Sequence, residues 1–292
     1  MYNSVIFFNH GNLGDSILSR PFINEVKKII KSKKYFISNK FNLSYFDDIV
    51  DGFIPLGDVS SSVWHFFDSN TNTLYFNTWF GHLISQVDNN EWQSKKNENG
   101  VLYNWENYLF FFNENLKKLN NNLNLNHMNF NKINFIVDLS YKFENKIPIY
   151  NDNRIKILLF NQEATSGQSD NGDFNPFIED LSENDNILIY TSKNTNINKE
   201  NIINISDYIT GPDLKIISEF SKNCNIICGP GNATVISTWN THNISDSEKI
   251  YITVNRNNVG EAIWFNEVKC QNFIVNSTES IFKKLQNLLF TK

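Results

Sequence analysis

A chain of 292 residues with 26 basic and 31 acidic side chains has a net charge of −5, and no basic block stands out, which excludes the electrostatic footprint of a nucleic-acid binder. The hydrophobic fraction is a modest 40%, but 25 Phe, 11 Tyr and 6 Trp put large rings into it, so the chain has core volume for a folded protein of about two domains rather than a disordered polymer. Asparagine is abundant throughout, as in LNNNLNLNHMNFN at 119 to 131, and many of these positions read as surface choices.

The opening MYNSVIFF lacks a basic leader and a long apolar core, so it reads as a strand and not a signal peptide. No apolar run reaches the ~18 residues of a membrane span, and a soluble, cytoplasmic protein is expected. Three cysteines, Cys224, Cys228 and Cys270, are an odd number. The spacing C-N-I-I-C suits neither a zinc knuckle nor a redox pair, so buried free thiols are expected.

Apolar runs bounded by turn residues predict strands at 4–8, 34–38, 53–56, 73–76 and 133–137. Helical spacing connects Ile17, Leu18, Phe22, Val26, Ile29 and Ile30, and again Trp105, Leu109, Phe112, Leu116 and Leu119. Strands alternating with helices imply parallel pairing. The polar stretch at 85–104 reads as a lid or a surface loop.

After residue 138 the sequence KFENKIPIYNDNR is polar and irregular, a candidate linker. A second alternation follows, with strands predicted at 155–160, 187–191, 202–205, 225–228, 250–254 and 273–275, and helices near 212–222, 232–240 and 277–290. The fold class read from this is α/β, with two Rossmann-like domains facing a cleft, residues 1–146 and 147–292. The last helix is left open to pack back on the first domain.

The first strand runs into HGNLGDS, where Gly11 and Gly14 allow a tight turn and Asp15 stands at the start of a helix. The spacing G-x-x-G is not a dinucleotide fingerprint, and an acidic residue next to it would repel a pyrophosphate. Two roles fit Asp15: a helix cap, or a general base that takes a proton from a hydroxyl. His10, beside the loop, either lines a pocket or is held as a structural residue. Trp79 and Trp92 are candidates to stack on a sugar face.

The run from Gly11 to Pro21, G-N-L-G-D-S-I-L-S-R-P, resembles the opening of the glycosyltransferase family nine enzymes, the lipopolysaccharide heptosyltransferases and their relatives. The resemblance implies a glycosyltransferase type B fold with an acceptor domain followed by a donor domain. It implies that Asp15 is the base acting on the acceptor hydroxyl, with His10, Gly11, Asn12 and Gly14 as the acceptor-side loop. A second stretch, DLKIISEFSKNCNIICGPGNATVISTW, resembles the family's late element, in which a small-residue turn faces the nucleotide-sugar donor.

Here that turn is Gly229, Pro230, Gly231, Asn232, Ala233 and Thr234, and the family's usual Asp and His are absent from it. Glycines that bring the backbone close and a helix start behind them still suit a diphosphate, although an ordinary strand-to-helix turn has the same residues. The loop NQEATSGQSDNGD, with Thr165, Ser166 and Gly167, matches the family's first donor loop in placement but lacks its Lys. Lys193 and Arg256, each just after a predicted strand, are the cations able to replace it, unless they are surface charges.

The five His residues are not at metal-ligand spacing and no DxD motif stands in a donor loop, so a metal-independent reaction is favoured. The family resemblance implies inverting transfer, with no cofactor beyond the nucleotide-sugar itself. The partners implied are that donor and a glycan or lipopolysaccharide-type acceptor. A lipid-linked acceptor would bring peripheral membrane contact. Two alternatives remain: a polysaccharide pyruvyl transferase-like enzyme, and a non-catalytic descendant that binds a sugar or nucleotide.

Overall fold

Four consecutive buried residues, Val5, Ile6, Phe7 and Phe8, fix the first strand at the centre of a sheet, since only a strand covered on both faces buries an unbroken apolar run. In the computed structural model this strand, β1, spans Tyr2–Asn9. The structure describes residues 1–40, 43–55, 57, 65–79, 119, 136–140, 146–162, 172–209, 213–254 and 268–290. The predicted helix from Trp105, with Leu119 its one described position, the first three residues of the strand predicted at 133–137 and the 85–104 segment lie outside these, and the two described positions of that strand, 136 and 137, are not in a strand. The chain divides into two units, 1–137 and 138–292, and the expected boundary lies a few residues beyond.

In the first unit β1 is followed by helices α1 (Leu13–Leu18) and α2 (Arg20–Ile29), then β2 (Ser32–Asn39), β3 (Gly52–Phe53), β4 (Phe66–Asp68) and β5 (Thr73–Asn77). The sheet order is β3-β2-β1-β5-β4, so the chain leaves the centre toward one edge and returns to pair β5 with the other side of β1. Phe7 stacks between Tyr35 and Phe76, with ring centroids 6.4 and 5.9 Å away.

Two expectations need correction here. The single helix read across 17–30 is two: Ser19 turns its hydroxyl back to the carbonyl of Ser16 (2.6 Å), and Pro21 opens α2. Pairing is also not parallel throughout, because β4 runs antiparallel to β5 through a turn in which Asn72 takes φ 53°. At only three residues β4 is too short for periodicity to find, and it is held by Phe66 stacked on Tyr75 at 4.3 Å.

Arg20 is buried at the start of α2 and forms a two-pronged pair with Asp48 (2.9 and 2.6 Å), tying the helix to the segment after β2. His65, also buried, accepts the Asn77 N–H on Nδ1 (2.9 Å) and lies against Phe76.

The second unit contains β6 (Ile155–Leu159), α3 (Asn175–Leu181), β7 (Ile187–Thr191), β8 (Ile202–Asn204), α4 (Leu214–Ser221), β9 (Ile226–Pro230), α5 (Ala233–Ser237), α6 (Thr241–Ser245), β10 (Ile250–Val254), β11 (Gln271–Val275) and α7 (Thr278–Phe290). All of its strand pairs are parallel, in the order β8-β7-β6-β9-β10-β11. This is the doubly wound order of dinucleotide-binding folds, with the reversal of winding between β6 and β9.

One face of this sheet, with Ile157, Leu159, Ile187, Ile189, Cys228 and Ile252, packs on Ile178 and Leu181 of α3 and on Ile281, Phe282 and Leu285 of α7. The last helix therefore belongs to the second unit's core, where Phe282 stacks on Phe177 at 3.9 Å. The alternate residues face the other way: Tyr190 meets Phe220 of α4 edge-on at 4.7 Å, and Tyr251 donates its hydroxyl to the Thr238 carbonyl (2.8 Å). The helix read at 232–240 is interrupted, because Asn240 starts a new one by accepting the Asn243 N–H (2.9 Å). Cys224, Cys228 and Cys270 are buried free thiols, their pKa values raised by burial.

Burial pushes the His65 pKa from 6.5 down to about 3. The folded chain keeps this ring neutral while the unfolded chain protonates below 6.5, so its stabilising contribution is complete above 6.5 and falls as pH drops toward 3. His65→Asn retains an acceptor for the Asn77 N–H but cannot titrate. Its unfolding free energy, measured by denaturant titration, is expected to fall less steeply between pH 6 and 4 than that of the unsubstituted chain, by about 1.4 kcal/mol per pH unit.

Candidate functional site

In open parallel sheets ligands bind beyond the C-terminal strand ends, at the point where the winding reverses. In the first unit that point is between β1 and β5. Both strands end on asparagine, Asn9 and Asn77. Each folds its side-chain oxygen back onto the amide two residues on, Asn9 Oδ1 taking Gly11 N–H and Asn77 Oδ1 taking Trp79 N–H, both at 2.8 Å.

The two turns bring Gly11 and Trp79 to the same crevice. A Cβ on Gly11 would stand 2.5 Å from Trp79 Cδ1 and 2.6 Å from Asp15 Oδ2, so the indole and the carboxylate close on the backbone here and a larger residue would displace them. His10 sits under this loop, its ring tilted against Trp79 at 6.4 Å and edge-on to Phe8 at 6.0 Å.

Asp15 lies in the first turn of α1, where Oδ2 accepts the Asn12 N–H at 3.0 Å, a helix-capping contact. Its other oxygen, Oδ1, takes no hydrogen bond among the described residues. Burial raises the Asp15 pKa above the ordinary carboxylate value, and the Asn12 amide offsets part of that. The cap read from the sequence is thus present, and it engages one oxygen of the carboxylate. Gly14 lies in the first turn of α1, and Asn12 is the exposed residue before it.

In the second unit the reversal falls between β6 and β9. Gly229 and Pro230 are not in a turn, as the sequence suggested, but are the last residues of β9. Gly229 takes φ +147°, and a Cβ there would be 2.6 Å from the Phe160 carbonyl oxygen, so the end of β9 presses on the chain leaving β6. Gly231 follows, its N–H donated to the Val254 carbonyl (3.2 Å). Asn232 caps α5, its Oδ1 accepting the amides of Thr234 (3.0 Å) and Val235 (3.2 Å). The amides of Asn232 and Ala233 have no partner among the described residues. Thr234 itself is buried.

Beside this turn Asn161, just past β6, binds across to the end of β7. Its Oδ1 accepts from Lys193 N–H (2.8 Å) and the Ser192 hydroxyl (3.1 Å), and its Nδ2 donates to the Lys193 carbonyl (2.9 Å). The Lys193 backbone is thereby held at the C-terminal edge of the sheet, and the residue is exposed. Thr165, Ser166, Gly167, Arg256 and Trp92 lie outside the described residues.

Sequence reading therefore found the glycines and Asp15 but missed Asn9, Asn77, Thr78 and Asn161. Each of the three asparagines follows a phenylalanine at the end of an apolar run, at 8–9, 76–77 and 160–161, but the same pair recurs at 41–42, 112–113, 130–131, 174–175 and 265–266, so it does not single them out. No helix of the described residues is long and apolar enough to cross a membrane.

No protein-family model matches the sequence, and no curated protein matches it. Among solved structures, a glycosyl transferase family 9 protein from Veillonella parvula is similar at 11% identity and a TM-score of 0.48, over 98% of this chain and 89% of its own. The E. coli heptosyltransferase WaaC, solved with ADP, is similar at 8% identity and a TM-score of 0.49, over 97% of this chain and 99% of its own. A protein assigned as a UDP-N-acetylglucosamine 2-epimerase from Listeria monocytogenes is similar at 10% identity and a TM-score of 0.45, over 99% of this chain and 88% of its own. Transferases and an epimerase stand side by side here, so these likenesses do not choose a reaction.

The two crowded glycines make a paired test. Gly229→Ala forces a Cβ against backbone at a strained φ and is expected to cost about 3 kcal/mol in denaturant unfolding. Gly11→Ala meets side chains that are able to shift. It is expected to cost less, about 1 kcal/mol, while moving the tryptophan emission maximum as the Trp79 indole is displaced.

Proposed function

We propose that the chain is a two-domain, inverting glycosyltransferase that moves a sugar from a nucleotide-sugar to a hydroxyl acceptor, without a metal ion. The observation that carries this reading is the Asp15 carboxylate. One oxygen is held by the Asn12 amide, the other takes no bond among the described residues, and burial has raised its proton affinity, at the strand-end crevice where ligands of such sheets bind. A carboxylate in that state is suited to accept the proton of a sugar hydroxyl.

In this reading Asp15 Oδ1 takes the proton from the acceptor hydroxyl, whose oxygen attacks the anomeric carbon. The bond from that carbon to the diphosphate breaks on the opposite side, so the configuration inverts and the nucleoside diphosphate leaves with the electron pair. The second unit offers the diphosphate the amides of Asn232 and Ala233, the close backbone at Gly229 and Gly231, and the Lys193 cation, with Thr234, Thr165, Ser166, Gly167 and Arg256 as the remaining donor-side candidates. A cytoplasmic site of action and a glycan or lipid-linked acceptor belong to the same proposal.

A second reading is favoured by the cap on α5. Asn232 already occupies two of the amides that a phosphate would use, and the turn has no carboxylate or histidine, which suits a protein that binds a sugar or nucleotide without turnover.

Thermal unfolding against ADP, GDP, UDP, dTDP and CMP, with and without magnesium, tests the donor half. A nucleotide at about 100 times its dissociation constant adds about 2.7 kcal/mol of stability, a shift of several degrees. One nucleotide is expected to raise the midpoint equally with and without magnesium, and no shift from any of them would remove the donor assignment. With that nucleotide's sugar as donor, Asp15→Asn keeps the Asn12 cap and is expected to keep the nucleotide shift while losing at least about 100-fold in turnover. A nucleotide shift without turnover in the unsubstituted chain selects the binding-protein reading.

A further inference from the structure

We infer that Asn9 is the positioning residue of the first site, its side-chain amide holding the Asp15 loop and the Trp79 loop in one arrangement across the β1/β5 crevice. This rests on the reading of Asp15 as the base, and it concerns how that carboxylate is kept in place.

Asn9 is fully buried at the end of β1, and both ends of its amide are used. Oδ1 accepts the Gly11 N–H at 2.8 Å, which sets the turn that starts the glycine loop. Nδ2 faces the other loop, donating to the Thr78 carbonyl at 3.1 Å, with the Thr78 hydroxyl at 3.4 Å and the Asp15 carbonyl at 3.3 Å. One side chain thus contacts Gly11, Asp15 and the residue before Trp79.

Among the described residues the backbone alone does not make this link. The β1/β5 ladder continues only as far as the Thr78 N–H on the Phe8 carbonyl (2.9 Å). Past that point the Asn9 amide is a hydrogen-bonding bridge between the Asp15 loop and the end of β5. Its chemistry is also specific. The position needs an acceptor on one side and a donor on the other, which asparagine supplies and aspartate of the same shape does not. An aspartate would set an oxygen against the carbonyls of Thr78 and Asp15 and add a negative charge near the Asp15 carboxylate.

The test needs neither sugar nor nucleotide. The Asp15 carboxyl is followed through a pH titration by carbon-13 NMR, assigned with Asp15→Asn, alongside the Trp79 indole N–H signal, assigned with Trp79→Phe. The other titratable side chains at these strand ends, His10 and His65, are followed in the same spectra. Asn9→Asp is expected to raise the Asp15 midpoint by about 1 unit through like-charge repulsion. Asn9→Ser, too short to span the crevice, is expected to lower it toward the ordinary carboxylate value as the loop opens to water, and both variants are expected to move the Trp79 signal.

If the variants lose thermal stability but the Asp15 midpoint and the Trp79 signal stay where they were, Asn9 is a structural residue and the inference fails. Where only one variant folds, that variant decides. Failure of both to fold would make Asn9 a requirement of the fold itself and overturn the positioning role. A silent nucleotide panel alters none of these readouts, so this inference and the transferase reading fail separately.

Discussion

Strands of a parallel sheet that end at a reversal of winding leave the last backbone donors and acceptors in a crevice where no further ladder receives them, and the loops beyond diverge to opposite faces. The first unit answers this with the side chains of Asn9 and Asn77, each closing its own turn before the chain departs. The second uses Asn161, which ties the end of β6 to the end of β7. Each of the three follows a fully buried phenylalanine, Phe8 and Phe76 within their strands and Phe160 just past β6. Everything placed above, Asp15, Trp79 and Lys193, stands on these three amides.

The crevices so formed differ in what they expose. In the first, a carboxylate is drawn down beside an indole and over a glycine, which raises its proton affinity without removing its cap. Desolvation and the Asn12 hydrogen bond act on the Asp15 pKa in opposite directions, and desolvation is the larger. In the second crevice the crowding is of Gly229 against Phe160, and among the described residues Lys193 is the cation at its edge.

Much of the fold was legible because its strands are buried on both faces. IKILLF, ILIYT and IYITV are unbroken apolar runs, and the observed strands agree with the reading to within a residue or two. What could not be read was set by contacts distant in sequence. β4 exists because Phe66 finds Tyr75, and Asn240 breaks a helix because its Nδ2 reaches the Ser218 carbonyl at 2.9 Å. The site divided in the same way. Gly11, Gly14 and Asp15 stand together in one local pattern, whereas Asn9 acquires its role from Thr78, 69 positions away. In a chain so rich in asparagine, residue type alone gave no reason to select that one.

The same distinction sets what position 9 requires. G-N-L-G-D is a local motif, read along the chain, but the residue that holds it is chosen by three-dimensional contacts. Asn9 donates to the Thr78 and Asp15 backbone carbonyls, acceptors that any residue at those positions supplies, and accepts the Gly11 N–H. The requirement therefore falls on the side chain at 9 itself, which must accept on one side and donate on the other, and not on the side chains it faces.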